Sequence, residues 1–496
     1  IRMAAIQLSW SVLLPILLFL YFLKLLWSRR HYPPGPLGLP LIGGCFYNFL
    51  LLALIQMQVA KQYGNVFTFW LGHVPVVFLS GYDAVKEGLA DRAEEFLDRG
   101  TTPFFEKISE GKGVGFANGY AWKQQRRLAQ VTLAKLGVGK RTMEDKIEDE
   151  ALQLVEYFAS KKGKPFDPTL IMSNSVTNVA YALLFGHRWA LEDPNFKKLI
   201  KAIEYALSFG LTIFYTLYEL FPSLMERLPG PHKKAFQSTD IMLSLIKEEI
   251  QKHKEQEPTL EPRDFIDYYM LEMQKDKNKN DPTSSLDEEN LIHSVHDILF
   301  AGLESTSTVF KWGVLILANR PDVQDKIIKE IEDVLGSASI CYDDHKRLPY
   351  THAVIHEIHR YRFPSIIGIA RKTTRDVHMR GFIIPKGTFI APNMRSVLVD
   401  DEYWETPFEF NPNHFLDKDG NFVARKEFLG FGTGKRPRSC LGESVARMEL
   451  FIFLTRLVRV FRFQLPPGVK EFTEEPAKEL STPPRPYKVC AVPRNS

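Results

Sequence analysis

The chain has 496 residues, of which 45% are hydrophobic and 12% aromatic, which is enough apolar material for a large buried core. Its 63 Lys and Arg residues nearly balance its 59 Asp and Glu residues, and the net charge of +4 argues against nucleic acid as a partner. The four cysteines lie far apart and form no CxxC pair. The sequence therefore predicts a reducing compartment, no zinc site and no required disulfide.

The N-terminal stretch from Ala4 to Trp27 is mostly apolar and about long enough to cross a bilayer. A basic cluster, residues 29–31, follows it, and positive charge on that side favours a cytosolic position for the rest of the chain. We therefore expect residues 1–30 to form a single transmembrane anchor. A cleaved signal peptide is the alternative, although no small-residue cleavage site precedes Arg29.

The next segment, residues 31–60, opens with a proline-rich run from Tyr32 to Pro40. Proline at this density cannot form a helix and produces a stiff, extended spacer. Residues 31–60 are accordingly predicted to be a hinge and the start of the folded domain. Residues 61–496 contain no obvious linker, so they are predicted to form one domain.

Most of the remaining chain has helical periodicity. The main strand signal is a hairpin, with one strand over Val66–Leu71 and the other over Val74–Leu79. The chain is therefore predicted to be mainly α with small β-sheets. The predicted helices run from Asp145 to Ser160, Asn195 to Phe209, Phe236 to His253, Asn290 to Asn319, Asp322 to Leu335, Tyr350 to Arg362 and Glu443 to Arg459.

Two pairs of side chains each lie on one helix face. Trp122 and Arg126 stand four residues apart, so an indole N–H and a guanidinium can bind the same anionic group. The alternative is a core tryptophan beside a solvated arginine. Glu357 and Arg360 stand three apart, which predicts an ion pair, although such a pair alone is a weak signal.

The helix Asn290–Asn319 contains the stretch 301–306, Ala-Gly-Leu-Glu-Ser-Thr, within an otherwise apolar run. Gly302 costs about 1 kcal/mol relative to alanine in a helix interior, which indicates a local loosening. Such loosening leaves room for a small ligand, while Glu304 and the Ser305 hydroxyl can relay protons. The alternative is a hydroxyl that bonds back to its own helix.

A cysteine, Cys440, follows a glycine- and arginine-rich loop and precedes a predicted helix. A thiolate at a helix N-terminus is stabilised by the helix dipole and by free N–H groups. Arg436 and Arg438 can pair with anionic groups of a bound ligand. These features together fit haem iron with an axial cysteine, whereas an isolated cysteine would more commonly be structural and buried.

Residues 431–442 resemble the cysteine-ligand loop of the cytochrome P450 haem-thiolate monooxygenases, whose pattern is F-x-x-G-x-R-x-C-x-G. Phe431, Gly434 and Gly442 correspond to conserved pattern positions, but Phe431 and Gly434 stand two residues too far from Cys440. The loop therefore looks two residues longer than the pattern. The resemblance covers nearly the whole chain, and its details are most similar to the microsomal family 2 members.

The resemblance implies the cytochrome P450 fold, preceded by the N-terminal transmembrane helix, and a specific set of site residues. Cys440 would be the axial ligand of the iron of haem b. Other residues that would contact the haem are Trp122, Arg126, Arg371, Arg99, Phe431, Gly434, Arg436, Arg438 and Gly442. The oxygen-activation stretch would be Ala301, Gly302, Glu304, Ser305 and Thr306, with Ser305 at the usual threonine position. Glu357, Arg360 and His414 would hold the cysteine loop.

The resemblance further implies insertion of one oxygen atom from O2 into an apolar xenobiotic, fatty acid or steroid. Electrons would come from NADPH through NADPH–cytochrome reductase, with cytochrome b5 as a possible second donor. The protein would lie on the endoplasmic reticulum membrane, in contact with lipid, and face the cytosol. The longer loop leaves a haem-binding protein with impaired or no activity as an alternative. A haem-thiolate isomerase is a third hypothesis, against which Glu304 and the Ser305 hydroxyl argue.

Overall fold

The structure is a computed structural model that describes residues 13–17, 19–20, 30, 32–36, 58–72, 74–256, 261–277, 283–365, 368–433 and 437–494. Two compact units are present, one of Ile1–Gly100 with Ile367–Asn393 and one of Thr101–Ile366 with Met394–Ser496. Among the described residues, no helix is long and apolar enough to cross a membrane. Most of the predicted anchor, residues 1–30, lies outside the described residues, and the domain boundaries proposed above stay predictions.

The first unit is built on a five-stranded sheet with strand order β1-β2-β7-β4-β3. The hairpin β1–β2 is antiparallel and pairs Val66 with Leu79, so the predicted hairpin is confirmed with its boundaries. Its β-branched and aromatic residues suit a half-buried pleated surface. A separate two-stranded ribbon is formed by β5 and β6. The elements are β1 Val66–Leu71, β2 Val74–Leu79, α1 Tyr82–Lys86, a π-helical turn Glu87–Asp91, β3 Asp98–Arg99, β4 Arg371–Lys372, β5 Val377–Met379, β6 Phe382–Ile384 and β7 Phe389–Pro392.

The second unit is almost entirely helical, and the prediction of a mainly α chain with small sheets is confirmed. Among its described residues, a two-stranded ribbon pairs β8 Phe461–Gln464 with β9 Cys490–Pro493. The elements are α2 Pro103–Ser109, α3 Gly119–Lys135, α4 Arg141–Ser160, α5 Thr169–Leu184, α6 Pro194–Phe209, α7 Ile213–Leu220, α8 Pro222–Met225, α9 Pro231–Glu255, α10 Phe265–Lys277, α11 Glu288–Asn319, α12 Pro321–Leu335, α13 Pro349–Tyr361, α14 Met394–Leu398, α15 Glu443–Val460, β8 Phe461–Gln464 and β9 Cys490–Pro493.

The long helix α11 lies at the centre of the second unit and packs against α5, α9, α13 and α15. Its C-terminal half is buried, with Phe310, Trp312 and Val314 fully inaccessible to solvent. Helix α5 was not predicted, because its sequence is buried nearly all round and therefore shows no amphipathic period. This packing holds α11 in place beside the candidate site.

Helix α13 carries the ion pair of Glu357 and Arg360, and both side chains have no exposed surface. The guanidinium donates Nε–H to Oε2 and Nη2–H to Oε1 of Glu357, each at 2.7 Å. Its remaining donors bind the carbonyls of Leu398, Pro407 and Glu409 at 2.7, 2.8 and 2.8 Å. The pair thereby holds the segment that leads to the cysteine loop.

The carboxylate of Glu357 completes this arrangement from the other side. It accepts the backbone N–H of Asn411 at 2.8 Å and lies 3.2 Å from Nδ1 of His414. Trp404 packs with its ring 5.1 Å from the Arg360 guanidinium. A buried charge pair is stable only when its hydrogen bonds are satisfied, as they are here.

The substitution Arg360→Ala should destabilise the second unit strongly, because it leaves the Glu357 carboxylate buried and unpaired. We expect a loss of about 3–5 kcal/mol, seen as low expression and a much lower thermal unfolding midpoint. Arg360→Lys should recover only part of the loss, since a lysine cannot make the forked contacts.

The exposed pair of Lys329 and Asp333 on α12 supplies the control for this measurement. Lys329→Ala should leave the unfolding midpoint unchanged, because exposed pairs contribute little. An Arg360→Ala protein that unfolds at the wild-type temperature would contradict the role of the buried pair.

Candidate functional site

Cys440 lies three residues before α15 begins at Glu443, at the end of a loop closed on itself by a backbone hydrogen bond. The Cys440 N–H donates to the Phe431 carbonyl at 2.9 Å. Gly432 has φ +97°, a conformation that favours glycine, where the loop turns. Gly434 and Arg436, both predicted site residues, lie outside the described residues.

The thiol of Cys440 is accessible to solvent although many protein atoms surround it. This crowding raises the pKa of the thiol, while the backbone N–H groups of Gly442 and Glu443 and the Arg126 guanidinium act to lower it. Solvent access together with crowding is what a concave, protein-lined site produces. The N–H groups at the start of α15 are those that stabilise a thiolate.

Helix α3 packs directly on the cysteine loop through the predicted residues. The Arg126 guanidinium donates Nη2–H to the Ser439 carbonyl at 2.6 Å. The Arg438 guanidinium stacks 3.7 Å from the Trp122 ring centre. Trp122, Arg126, Arg438 and Cys440 are therefore brought together in one place.

Arg438 also fixes the segment before α3. It donates to the carbonyls of Gly115 and Ala117 at 3.3 and 2.7 Å and to Oδ1 of Asn118 at 3.0 Å. The two carbonyl acceptors could not be predicted from the sequence, because backbone carbonyls carry no side-chain motif. The Arg438 guanidinium therefore links the cysteine loop to the start of α3.

Two buried donors in this region have no acceptor among the residues that the structure describes. They are Nε1 of Trp122, whose side chain is 3% exposed, and Nε of Arg126. Burial lowers the pKa of Arg126, and Cys440 acts in the opposite direction. Buried donors without acceptors are costly, so the site is suited to an anionic group beside the thiol. Haem carries two carboxylates and an iron that binds thiolate, and the donor set fits it.

The central part of α11 has one uncovered face. Ala301 and Ser305, four residues apart, are exposed, although the helix around them is largely buried. The helix is continuous, and the Ser305 hydroxyl donates to the Ala301 carbonyl at 2.8 Å. A Cβ at Gly302 would have Ala180 as its nearest neighbour at 3.8 Å, so alanine would fit there. The expected loosening at Gly302 is therefore absent from the described helix.

Glu304 points away from Ser305 and into a hydrogen-bond network. Its Oε1 accepts the Ser481 hydroxyl at 2.7 Å and the Thr308 hydroxyl at 3.2 Å. Ser481 was not predicted, because it follows α15 by many residues and only the tertiary fold brings it to α11. Thr306 is buried, with 4% exposure, and does not share the uncovered face.

Arg99 and Arg371 belong to the first unit, where β3 and β4 pair them directly. Both are buried, and Arg99 donates to the Ile369 carbonyl at 3.2 Å. Their predicted contacts with haem stay predictions.

Comparison with known proteins assigns this chain to a family. A family model described as Cytochrome P450 matches residues 33–491. Cytochrome P450 2C3 of Oryctolagus cuniculus is 37% identical over 494 residues, which cover 97% of this chain and 99% of the relative. Cytochrome P450 2J5 of Mus musculus is 37% identical, with 98% and 96% covered, and cytochrome P450 2A13 of Homo sapiens is 39% identical, with 94% and 94% covered. The chain therefore belongs to the cytochrome P450 family and is similar to its microsomal family 2 members.

Proposed function

We propose that this chain is a haem-thiolate monooxygenase that inserts one oxygen atom from O2 into an apolar organic substrate. Membership in the cytochrome P450 family supports a haem-iron oxidoreductase of the monooxygenase class. The observation that carries the proposal is the solvent-accessible thiol of Cys440 beside two buried donors without acceptors, on Trp122 and Arg126. A thiol and carboxylate-binding groups in one place are what haem b requires.

When bound, haem b supplies the iron chemistry that activates O2, with a thiolate ligand that favours O–O cleavage. Cys440 provides that thiolate, and the N–H groups at the start of α15 stabilise its charge. Trp122 and Arg126 donate to carboxylates and thereby orient the cofactor. The uncovered face at Ala301 and Ser305 leaves space beside α11.

Proton delivery in this proposal depends on Ser305 and Glu304. The Ser305 hydroxyl lies on the uncovered face, and its bond to the Ala301 carbonyl orients it. Glu304 is held by Ser481 and Thr308, so it can pass a proton only after its side chain rotates or through water. Ser305 is therefore assigned as the group that passes the proton without a side-chain rotation of Glu304.

The apolar substrate is supported by an aromatic cluster in the second unit. Phe104 lies 5.4 Å from Phe209 and 5.0 Å from Phe236, measured between ring centres. Tyr215 and Tyr218 pack edge-on against the same ring. A xenobiotic, fatty acid or steroid would find apolar and aromatic contacts there, as small-molecule pockets usually provide.

We place the protein on the endoplasmic reticulum membrane, anchored by residues 1–30 and in contact with lipid. A second lipid contact is supported by an exposed apolar patch between α6 and α9, which we term the 213–228 patch. Its members are Ile213, Phe214, Phe221, Leu224 and Leu228, which are 58%, 39%, 52%, 56% and 45% exposed. Contiguous exposed apolar side chains of this kind mark membrane or protein contacts.

Electrons would reach the site from NADPH–cytochrome reductase, with cytochrome b5 as a second donor. Supporting this, α3 and α4 expose several cations close in sequence to the cysteine-loop contacts. They are Lys123, Arg127, Lys135, Lys140 and Arg141. A cationic face of this kind attracts an acidic partner and speeds its association.

A haem-binding protein without monooxygenase activity is the second candidate. The observation that favours it is the cysteine loop, which is two residues longer than the family pattern. Arg438, one of the loop arginines, has two of its nitrogens engaged with residues 115–118. The optical and activity measurements below distinguish the two functions.

The first test is the difference spectrum of the reduced, carbon-monoxide-bound protein in membranes. We expect a strongly red-shifted Soret band, because the Cys440 thiolate donates charge to the iron. Cys440→Ser should abolish that band. Cys341→Ser is the control, since Cys341 contacts Asp344 away from the loop and its replacement should leave the band unchanged.

A Soret band at the position of neutral ligation, or the same band in Cys440→Ser, would contradict the thiolate ligand. A red-shifted band without oxygenated product from any substrate, in the presence of reductase, would favour the haem-binding protein.

Replacing Ser305 by alanine should impair proton delivery without removing the cofactor. We expect the amount of hydrogen peroxide formed per NADPH consumed to rise several-fold. The reason is that loss of an acid–base group slows the step that leads to oxygenated product. Ser305→Thr should keep the wild-type amount. Ser307→Ala is the matched control, because Ser307 is fully buried and bonds to its own helix. An unchanged amount of peroxide per NADPH in Ser305→Ala would exclude the hydroxyl from proton delivery.

Deletion of residues 1–30 should move part of the protein out of the membrane fraction, and the 213–228 patch should retain the rest. In the truncated chain, replacement of Phe214, Phe221 and Leu224 by asparagine should reduce flotation with phosphatidylcholine vesicles by about tenfold. Leu152→Asn and Leu170→Asn, which change exposed leucines outside the patch, are the controls. If the triple variant floated with the vesicles as well as the two leucine control variants do, lipid contact at the 213–228 patch would be contradicted.

A further inference from the structure

Three potential metal ligands meet where α2 ends and α11 begins. Glu110 directly follows α2, Glu289 is the second residue of α11, and His293 stands one turn later on the same face. One ligand atom from each of the three side chains lies within 4.8 Å of the other two. The site lies outside the catalytic groups discussed above and draws on two distant parts of the sequence.

His293 is the member that points to a ligand. Its side chain is 4% exposed, and its ring nitrogens have no hydrogen bond or ion pair with any residue in the described part of the chain. A neutral imidazole binds a metal ion through the lone pair of one ring nitrogen. The ring nitrogens of His293 are not among the fully buried atoms that lack a partner, so one of them is open to an incoming ion.

The loop that carries Glu110 is fixed on α11 by backbone contacts. The Gly113 N–H donates to Oδ1 of Asn290 at 3.2 Å, and the Gly115 N–H donates to Oδ2 of Asp297 at 2.8 Å. A Cβ at Gly113 would lie 2.9 Å from the His293 carbonyl oxygen, so only glycine permits this approach. Glu110 is therefore held within reach of His293 and cannot drift away with a loose loop.

Lys112 is the group that competes for the same carboxylates. Its ammonium lies 2.8 Å from Glu110 and 3.5 Å from Glu289. The two glutamates are more than half exposed, and ion pairs of this exposure contribute little. A divalent ion can displace the ammonium at small cost, because the lysine side chain can extend into water.

We propose that Glu110, Glu289 and His293 form a binding site for Zn²⁺ or a similar divalent transition-metal ion. One imidazole nitrogen and two carboxylate oxygens are ligands that Zn²⁺ accepts, with water in the remaining position. The imidazole disfavours Ca²⁺ and Mg²⁺, which prefer oxygen ligands. A bound ion would join the end of α2 to the start of α11.

The site is tested on the full-length, tag-free holoprotein by equilibrium dialysis against Zn²⁺, with bound metal measured by mass spectrometry. His293→Gln and Glu110→Gln should each bind one equivalent fewer than the wild-type protein. Glu288→Gln is the matched control, because Glu288 is adjacent to Glu289 but its carboxylate is paired with Lys254 at 2.7 Å. Haem content, measured on each variant, verifies folding.

Lys112→Gln gives a result that misfolding cannot produce. Removing the competing ammonium should tighten Zn²⁺ binding by about twofold to fivefold, since the exposed ion pair no longer opposes the metal. The proposal is overturned if His293→Gln and Glu110→Gln bind as much Zn²⁺ as the wild-type protein, or if Lys112→Gln binds it more weakly.

Discussion

The buried ion pair of Glu357 and Arg360 is the interaction on which the candidate site depends. A guanidinium has five N–H groups, and the five bonds formed here use all of them: one from Nε, two from Nη1 and two from Nη2. Two of these bonds go to Glu357 and three to backbone carbonyls. A fully desolvated charge pair is stable only with such complete satisfaction, so the pair specifies the path of the backbone that it binds.

That path leads to the cysteine loop, which α13 also contacts. His359, on the same helix as the ion pair, packs edge-on against Phe431 with ring centres 4.7 Å apart. The Arg447 guanidinium of α15 lies 4.7 Å from the centre of the Phe431 ring and pairs with Glu443. The first residue of the loop is thus held between α13 and α15, and a change at α13 would alter the position of Cys440.

Much of this architecture could be predicted from the sequence, because strong periodicity and turn chemistry act locally. The hairpin Val66–Leu79 and the helices over α4, α6, α9, α11, α12, α13 and α15 follow from their apolar patterns. Helix starts were less certain: α9 begins at Pro231 rather than Phe236, because proline suits the first helical position. Helix α5 is buried nearly all round and has no exposed polar face to reveal its period.

The site could be predicted only where its chemistry is carried by side chains in one stretch. Trp122, Arg126 and Cys440 were predicted from their types and spacing, and the structure brings them together, while their role in binding a cofactor stays a prediction. Two of the three acceptors of Arg438 are backbone carbonyls, and Ser481 reaches Glu304 from a distant segment, so neither left a local signal. At Gly302 the prediction was wrong: the unfavourable free energy of glycine in a helix was taken to imply a local loosening, but the described helix is continuous.

The backbone around Cys440 is held by contacts at both ends of the longer cysteine loop. The Cys440 N–H is bonded to the Phe431 carbonyl, so the ends of the loop are joined directly, whatever its length. Arg126 fixes the Ser439 carbonyl from α3, and Phe431 is held by α13 and α15. Even doubling the length of a flexible loop adds only about 0.6 kcal/mol of closure cost, so two extra residues are cheap. The backbone at Cys440 is therefore held by contacts that do not involve the two extra residues.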